Sequence, residues 1–118
     1  MELRYKTSKI EKQCTEISVA KKLFGGNTAL ATSLLARVNA LRQAPSLKDI
    51  IVQPQFRFHK LQGNREGTYA IDVKTIRDPW RLVLRPLDPE ENPYDGNIDE
   101  ICELVEIVRI EEVSKHYE

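Results

Sequence analysis

The chain has 118 residues, 41% of them hydrophobic and 31% charged, and its 18 Lys+Arg balance 18 Asp+Glu. That length fits a single domain over residues 1–118 with a modest core, and no apolar run approaches the ~20 residues of a membrane helix. Cys14 and Cys102 lie far apart and match no metal-ligand spacing, so neither a metal centre nor a disulfide framework is expected and both read as reduced core residues. Met1 to Lys6 contain no apolar stretch of the secretory kind, which points to a cytoplasmic protein. The neutral total hides an asymmetry. Residues 1–85 carry 16 Lys+Arg against 7 Asp+Glu, a net of +9, and residues 86–118 carry 2 against 11, a net of −9. A basic body attracts polyanions such as RNA, and the acidic end opposes that field.

In chain order, Leu3 and Tyr5 alternate with charged neighbours as a short half-buried strand. Ser8, with Glu11 three positions on, has the form of a helix cap. Ile10, Cys14, Ile17 and Phe24 then recur on one helical face. Gly25-Gly26 stops that helix, and Asn27 or Thr28 starts a second, whose stripe is Leu30, Leu34, Leu35, Val38 and Leu41. After a connection at 46–54 with a helical turn near Leu47–Ile50, Phe56 and Phe58 alternate with Arg57 as the start of a strand. Gly63 to Gly67 is a turn by composition. Tyr69, Ile71 and Val73 give the next strand, and Trp80 to Leu84 another. Pro86 to Gly96 reads as a long acidic loop, with residues 86–100 exposed and away from any RNA groove. Ile101 to Ile110 reads as a last strand buried on both faces. The sum is an α+β fold: an N-terminal strand and a helical hairpin packed on one face of a twisted, mainly antiparallel sheet, with the other face open.

Chemistry-bearing side chains concentrate between Phe56 and Leu84. His59 is one of two histidines, with His116, and an imidazole titrates near neutrality as a general base or acid. If Phe58 and Trp80 pack inward, alternation sends His59 and Arg81 outward onto one face, where they could meet across adjacent strands. Arginine offers a planar fork suited to phosphate, and Arg57, Lys60, Arg65 and Arg77 add cations nearby. A structural role is the competing reading, with Arg81 paired to Asp72 or Glu106.

The run Phe58-His59-Lys60-Leu61-Gln62-Gly63-Asn64-Arg65-Glu66-Gly67-Thr68-Tyr69-Ala70-Ile71, followed by Trp80-Arg81 and a Val-Glu-Ile-Val strand leading to His116-Tyr117, resembles HigB toxins of the RelE/ParE toxin–antitoxin superfamily. The motif covers residues 58–84 and the C-terminal strand; the helical hairpin matches in layout only. The resemblance implies a RelE/ParE-like fold and a ribosome-dependent endoribonuclease that cleaves mRNA by attack of a ribose 2′-OH on the adjacent phosphate. It implies a helix-turn-helix antitoxin, the ribosome and mRNA as partners, and no cofactor, metal or membrane. By position, His59 matches the histidine before the turn, Arg65 the turn arginine and Arg81 the arginine that clamps the scissile phosphate. His116 and Tyr117 match the acid/base or base-stacking end, in reversed order. Gln62 stands where nuclease members often carry lysine, and Lys60 lies on the same side by alternation. The alternative is a protein of this fold without nuclease activity, acting by binding a gyrase-type target or only its antitoxin.

Overall fold

A computed structural model describes residues 1–115, without the side chain of Asn64, so the expected site residues His116 and Tyr117 lie outside the described residues. In chain order the elements are β1 (Glu2–Tyr5), α1 (Ser8–Thr15), α2 (Ile17–Leu23), α3 (Thr28–Gln43), α4 (Lys48–Ile51), a 3-10 turn (Pro54–Phe56), β2 (His59–Lys60), a second 3-10 turn (Gly63–Arg65), β3 (Tyr69–Asp72), β4 (Trp80–Leu87), α5 (Ile98–Ile101) and β5 (Ile107–Lys115). The fold is α+β, with a five-stranded mixed sheet in the order β1-β5-β4-β3-β2. β1 runs parallel to β5, and the remaining neighbours are antiparallel.

Local chemistry sets the helix ends. Thr7, one residue before the expected Ser8, caps α1 by accepting from the Ile10 N–H at 3.1 Å. The single helix expected up to Phe24 is broken at Glu16, which is extended (φ −119°, ψ 115°). Its N–H still closes α1 onto Lys12 O, while its carbonyl opens α2 by accepting from Val19 and Ala20. The break turns Ala20 and Phe24 into the core and leaves Ile17 44% exposed. Gly25 and Gly26, at φ +62° and +89°, end α2 with bonds from Gly26 N to Lys21 O and from Gly25 N to Lys22 O; such left-handed positions suit glycine. Asn27 caps α3 through Oδ1 to Leu30 N at 3.0 Å. The α3 stripe Leu30, Leu34, Val38 and Leu41 packs in one core with Ile71, Leu82, Leu84, Val108 and Ile110 of the sheet. Leu34 and Leu41 are wholly buried, and truncating either to alanine costs ~2–5 kcal/mol.

Several strand boundaries differ from expectation, among them the end of β3 at Asp72 rather than Val73 and the end of β5 at Lys115, five residues past the expected Ile110. Pro54 opens a 3-10 turn, and Arg57 takes a left-handed conformation (φ 46°), so β2 shrinks to His59–Lys60. β4 continues to Leu87, two residues into the expected loop. The expected strand start at Ile101 is instead the end of α5, capped by Asn97 Oδ1 on Asp99 N. β5 begins only at Ile107, and Leu104 is 62% exposed. Of the expected exposed segment 86–100, Pro86 and Leu87 are buried in β4 and most of the rest is exposed. The loop is not held wholly apart from the sheet, since Glu91 reaches Arg4 and Tyr94 and Ile98, with Ile101 beyond it, pack against the core.

The outer face, opposite the helices, is only partly open. Leu61, Ala70 and Val83 form a second buried cluster there. The turn at 63–67 folds toward this face: a Cβ at Gly67 would lie 3.0 Å from Arg85 Nη1, and Arg65 reaches Glu112 at 2.6 Å.

Candidate functional site

Strand register determines which side chains share the outer face. Trp80 packs toward the helices, edge-on to Phe24 at 4.8 Å, so the next residue, Arg81, points outward. Arg81 lies opposite Asp72 on β3 and Ser114 on β5, and His59 lies opposite Ala70. β3 therefore separates β2 from β4, and His59 and Arg81 are not cross-strand neighbours. With strands ~4.8 Å apart and ~3.3 Å per residue, their Cα atoms are on the order of 12 Å apart.

Asp72, 1% exposed, takes the place beside Arg81 that the alternation argument gave to His59. It accepts from Arg57 Nε at 2.9 Å and lies 3.2 Å from Arg81 Nε. The second contact is an ion pair without hydrogen-bond alignment, so Asp72 Oδ1 receives no aligned donor. Arg81 Nη1 also donates to the Asp78 and Trp80 carbonyls, each at 2.7 Å. Two guanidinium groups on one carboxylate leave a net charge of about +1 in the cluster. The Ser114 hydroxyl, across from Arg81, is buried with no hydrogen-bond partner.

His59 is half-buried, and its Nδ1 lies 2.8 Å from the Arg57 carbonyl. A carbonyl only accepts, so Nδ1 carries the proton and Nε2 is the basic nitrogen of the neutral ring. The left-handed turn at Arg57 is what brings that carbonyl to the imidazole.

The other expected residues divide between locations. Arg65 is on the outer face, held by Glu112. Lys60 lies opposite Tyr69, which lies opposite Leu84 of the helix-side core, so Lys60 points away from the His59 face. Gln62 and Lys60 line a cleft of about 270 Å³ with Leu61, Gly63 and Glu66 at the sheet edge. The register places Lys60 away from Arg81's side. Arg77 is exposed in the β3–β4 turn, which is organised by Asp78 accepting from Thr75 N and Trp80 N.

Sequence reasoning passed over a second arginine cluster on the same face. Arg85 lies opposite Arg109, and Arg109 lies opposite Arg4. Between Val83 and Leu84 the register shifts, which makes Glu111 an extra residue on β5. A bulge of this kind re-aims a side chain; here Glu111 reaches Arg85 Nε at 3.1 Å and Arg109 Nε at 2.6 Å. Burial alone would push the Glu111 carboxyl up, but the hydrogen bonds from Arg109 and Arg85 outweigh it and hold it below the usual carboxylate range. Arg4 makes a two-point pair with Glu91 at 2.8 and 3.1 Å. The i, i+4 spacing of Arg81 and Arg85 on one strand was the available signal, since both share a face by alternation.

Among the described residues, no group of three or more His, Cys, Asp or Glu could hold a metal ion, and no helix is long and apolar enough to cross a membrane. Compared with family models and with curated proteins, the chain matches none.

Proposed function

We propose that the chain is a HigB-like toxin of RelE/ParE-like fold, a ribosome-dependent endoribonuclease that works in the cytoplasm and is held inactive by a helix-turn-helix antitoxin. The motif from Phe58 to Ile71 with Trp80-Arg81 motivates the reading. The observation that carries it is His59, fixed through Nδ1 to the Arg57 carbonyl beside the Arg57–Asp72–Arg81 cluster. In this reading Nε2 takes the proton of the ribose 2′-OH. The freed oxygen attacks the adjacent phosphorus, and the 5′-oxygen leaves with a proton from an acid, for which His116 and Tyr117 are the candidates. The products are a 2′,3′-cyclic phosphate and a 5′-hydroxyl end. Charge building on the phosphoryl oxygens is met by the field of fixed guanidinium groups, with Arg57 and Arg65 nearest the surface. Arg81, 5% exposed, contributes by holding Asp72 and by its charge.

The test is cleavage of mRNA on purified ribosomes. Replacing His59 with alanine should lower the rate ~10²–10⁴-fold, the usual worth of a general base, and abolish growth inhibition. Undiminished cleavage by a folded variant would remove His59 from the mechanism. A second reading has its own observation: Asp72, Glu111, Glu112 and Glu91 each face an arginine, which weakens the field available to RNA. It makes the protein a non-nuclease binder of a gyrase-type target or of its antitoxin, and inhibition of gyrase supercoiling without mRNA cleavage would favour it.

A further inference from the structure

Arg4, Arg109 and Arg85 lie in one transverse row over three adjacent strands, β1, β5 and β4. Like charges directly opposite one another destabilise a sheet, and this sheet places three in line over roughly 10 Å. Three carboxylates serve the three arginines, and they are unevenly divided. Glu111 is shared by Arg85 and Arg109, Arg4 pairs with Glu91 of the exposed acidic loop, and Glu2 is 3.5 Å from Arg4 with its side chain 69% exposed. A shared carboxylate orients two planar forks and leaves the Arg85–Arg109 end of the row one positive charge over, while Arg4 has two carboxylates beside it, both on exposed side chains. Side-chain exposures of 23%, 33% and 37% for Arg85, Arg109 and Arg4 leave the row reachable from solvent. Arg85 is four residues from Arg81 on the same face of β4, about 13 Å away, so the row continues the face that carries His59.

We propose that Arg4, Arg109 and Arg85 form a second anion subsite, which takes the phosphodiester backbone of a single RNA strand running past the His59 region. The proposal rests on the RNA reading of this face. Bidentate guanidinium groups suit phosphate oxygens, and a phosphate reaching Arg4 replaces Glu91, whose loop is exposed and held to Arg4 by a surface pair. Backbone contacts of this kind raise affinity without regard to sequence.

The test is anisotropy of a short fluorescein-labelled oligouridylate across a salt series. For single strands the slope of log affinity against log salt is about 0.7 per phosphate contact. The double variant Arg4→Gln/Arg109→Gln should bind roughly tenfold more weakly and lose about 0.7 of slope for each contact removed, with Arg109→Lys retaining more of both. Should the double variant fail to melt cooperatively, Arg4→Gln alone should lose about 0.7 of slope. Unchanged affinity and slope in a folded variant overturn the subsite while leaving the catalytic reading in place. Wild-type protein that ignores the oligouridylate and binds poly-glutamate, with loss in the double variant, assigns the row to an acidic protein segment and overturns the RNA subsite. Binding of neither probe also overturns it, and ribosome cleavage then judges the catalytic reading separately.

Discussion

Asp72 on β3 lies directly opposite Arg81 on β4, and the two side chains meet as a buried ion pair, 1% and 6% exposed. Breaking a buried pair from one side typically costs ~3–5 kcal/mol, because the remaining charge is stranded. Asp72→Asn strands Arg81 and half-strands Arg57, so the urea midpoint should fall by the equivalent of ~3–5 kcal/mol. An unchanged midpoint would show that the cluster contributes nothing. Arg81→Ala should also destabilise, since it removes the donor to two carbonyls as well as the pair. Loss of toxicity in that variant therefore requires a folding control, whereas His59→Ala reports more directly on chemistry.

Gly67 has φ +84°, and a Cβ there would be 3.0 Å from Arg85 Nη1. Alanine in the left-handed region costs roughly 1–2 kcal/mol. The arginine end can give way, but only by loosening its contact with Glu111. Gly67→Ala should lower the melting temperature by several degrees and, if the second subsite operates, weaken RNA binding as well. A neutral result would mean that the turn at 63–67 tolerates a different path.

Stability should fall at acid pH partly through Glu111. Its folded-state carboxyl is held below the ordinary value of 4.5, so the contribution is complete above that value and is lost as pH falls through the lower folded-state one. Denaturation midpoints measured from neutral pH down to about pH 3 should show this acid limb flattened in Glu111→Gln, at the cost of a lower plateau at neutral pH. An equal acid limb in both proteins would assign the effect to other carboxyls.

The Cys14 thiol, 2% exposed, is pushed by burial up to about 12. At pH 8 roughly one molecule in ten thousand carries the thiolate, the form that reacts. N-ethylmaleimide should label Cys14 slowly in the native protein and rapidly in denaturant, as read by mass spectrometry of the Cys14 peptide. Rapid native labelling would indicate local opening between α1 and the sheet.

The parts of the fold that could be read from sequence are those whose cause is local. Gly25-Gly26 and Asn27 mark a helix stop and start because backbone freedom and a side-chain oxygen act within a few residues. The α3 stripe was legible because burial repeats at helical spacing. Phe56-Arg57-Phe58 misled because its alternation imitates a strand, whereas Pro54 and the left-handed Arg57 build a turn. The Glu111 bulge and the parallel pairing of β1 with β5 have no local signature. The same limit governs the site. Alternation placed His59 and Arg81 on one face, but strand order decided their neighbours. It put Asp72 between them and aligned Arg4 with Arg109 and Arg85, residues separated by most of the chain.

The pairing of β1 with β5 also sets a timetable for synthesis. Glu2 meets Ile107 and Tyr5 meets Ile110, so the first strand waits for the last before it gains a sheet neighbour. Pairings between such distant positions are slow to form, and a growing chain lacks them until Ile107–Ile110 have left the ribosome. The row from Arg4 to Arg85 cannot exist on a nascent chain that lacks β5, so a polyanion-binding surface there becomes available only once the segment around Arg109 has emerged and paired with β1.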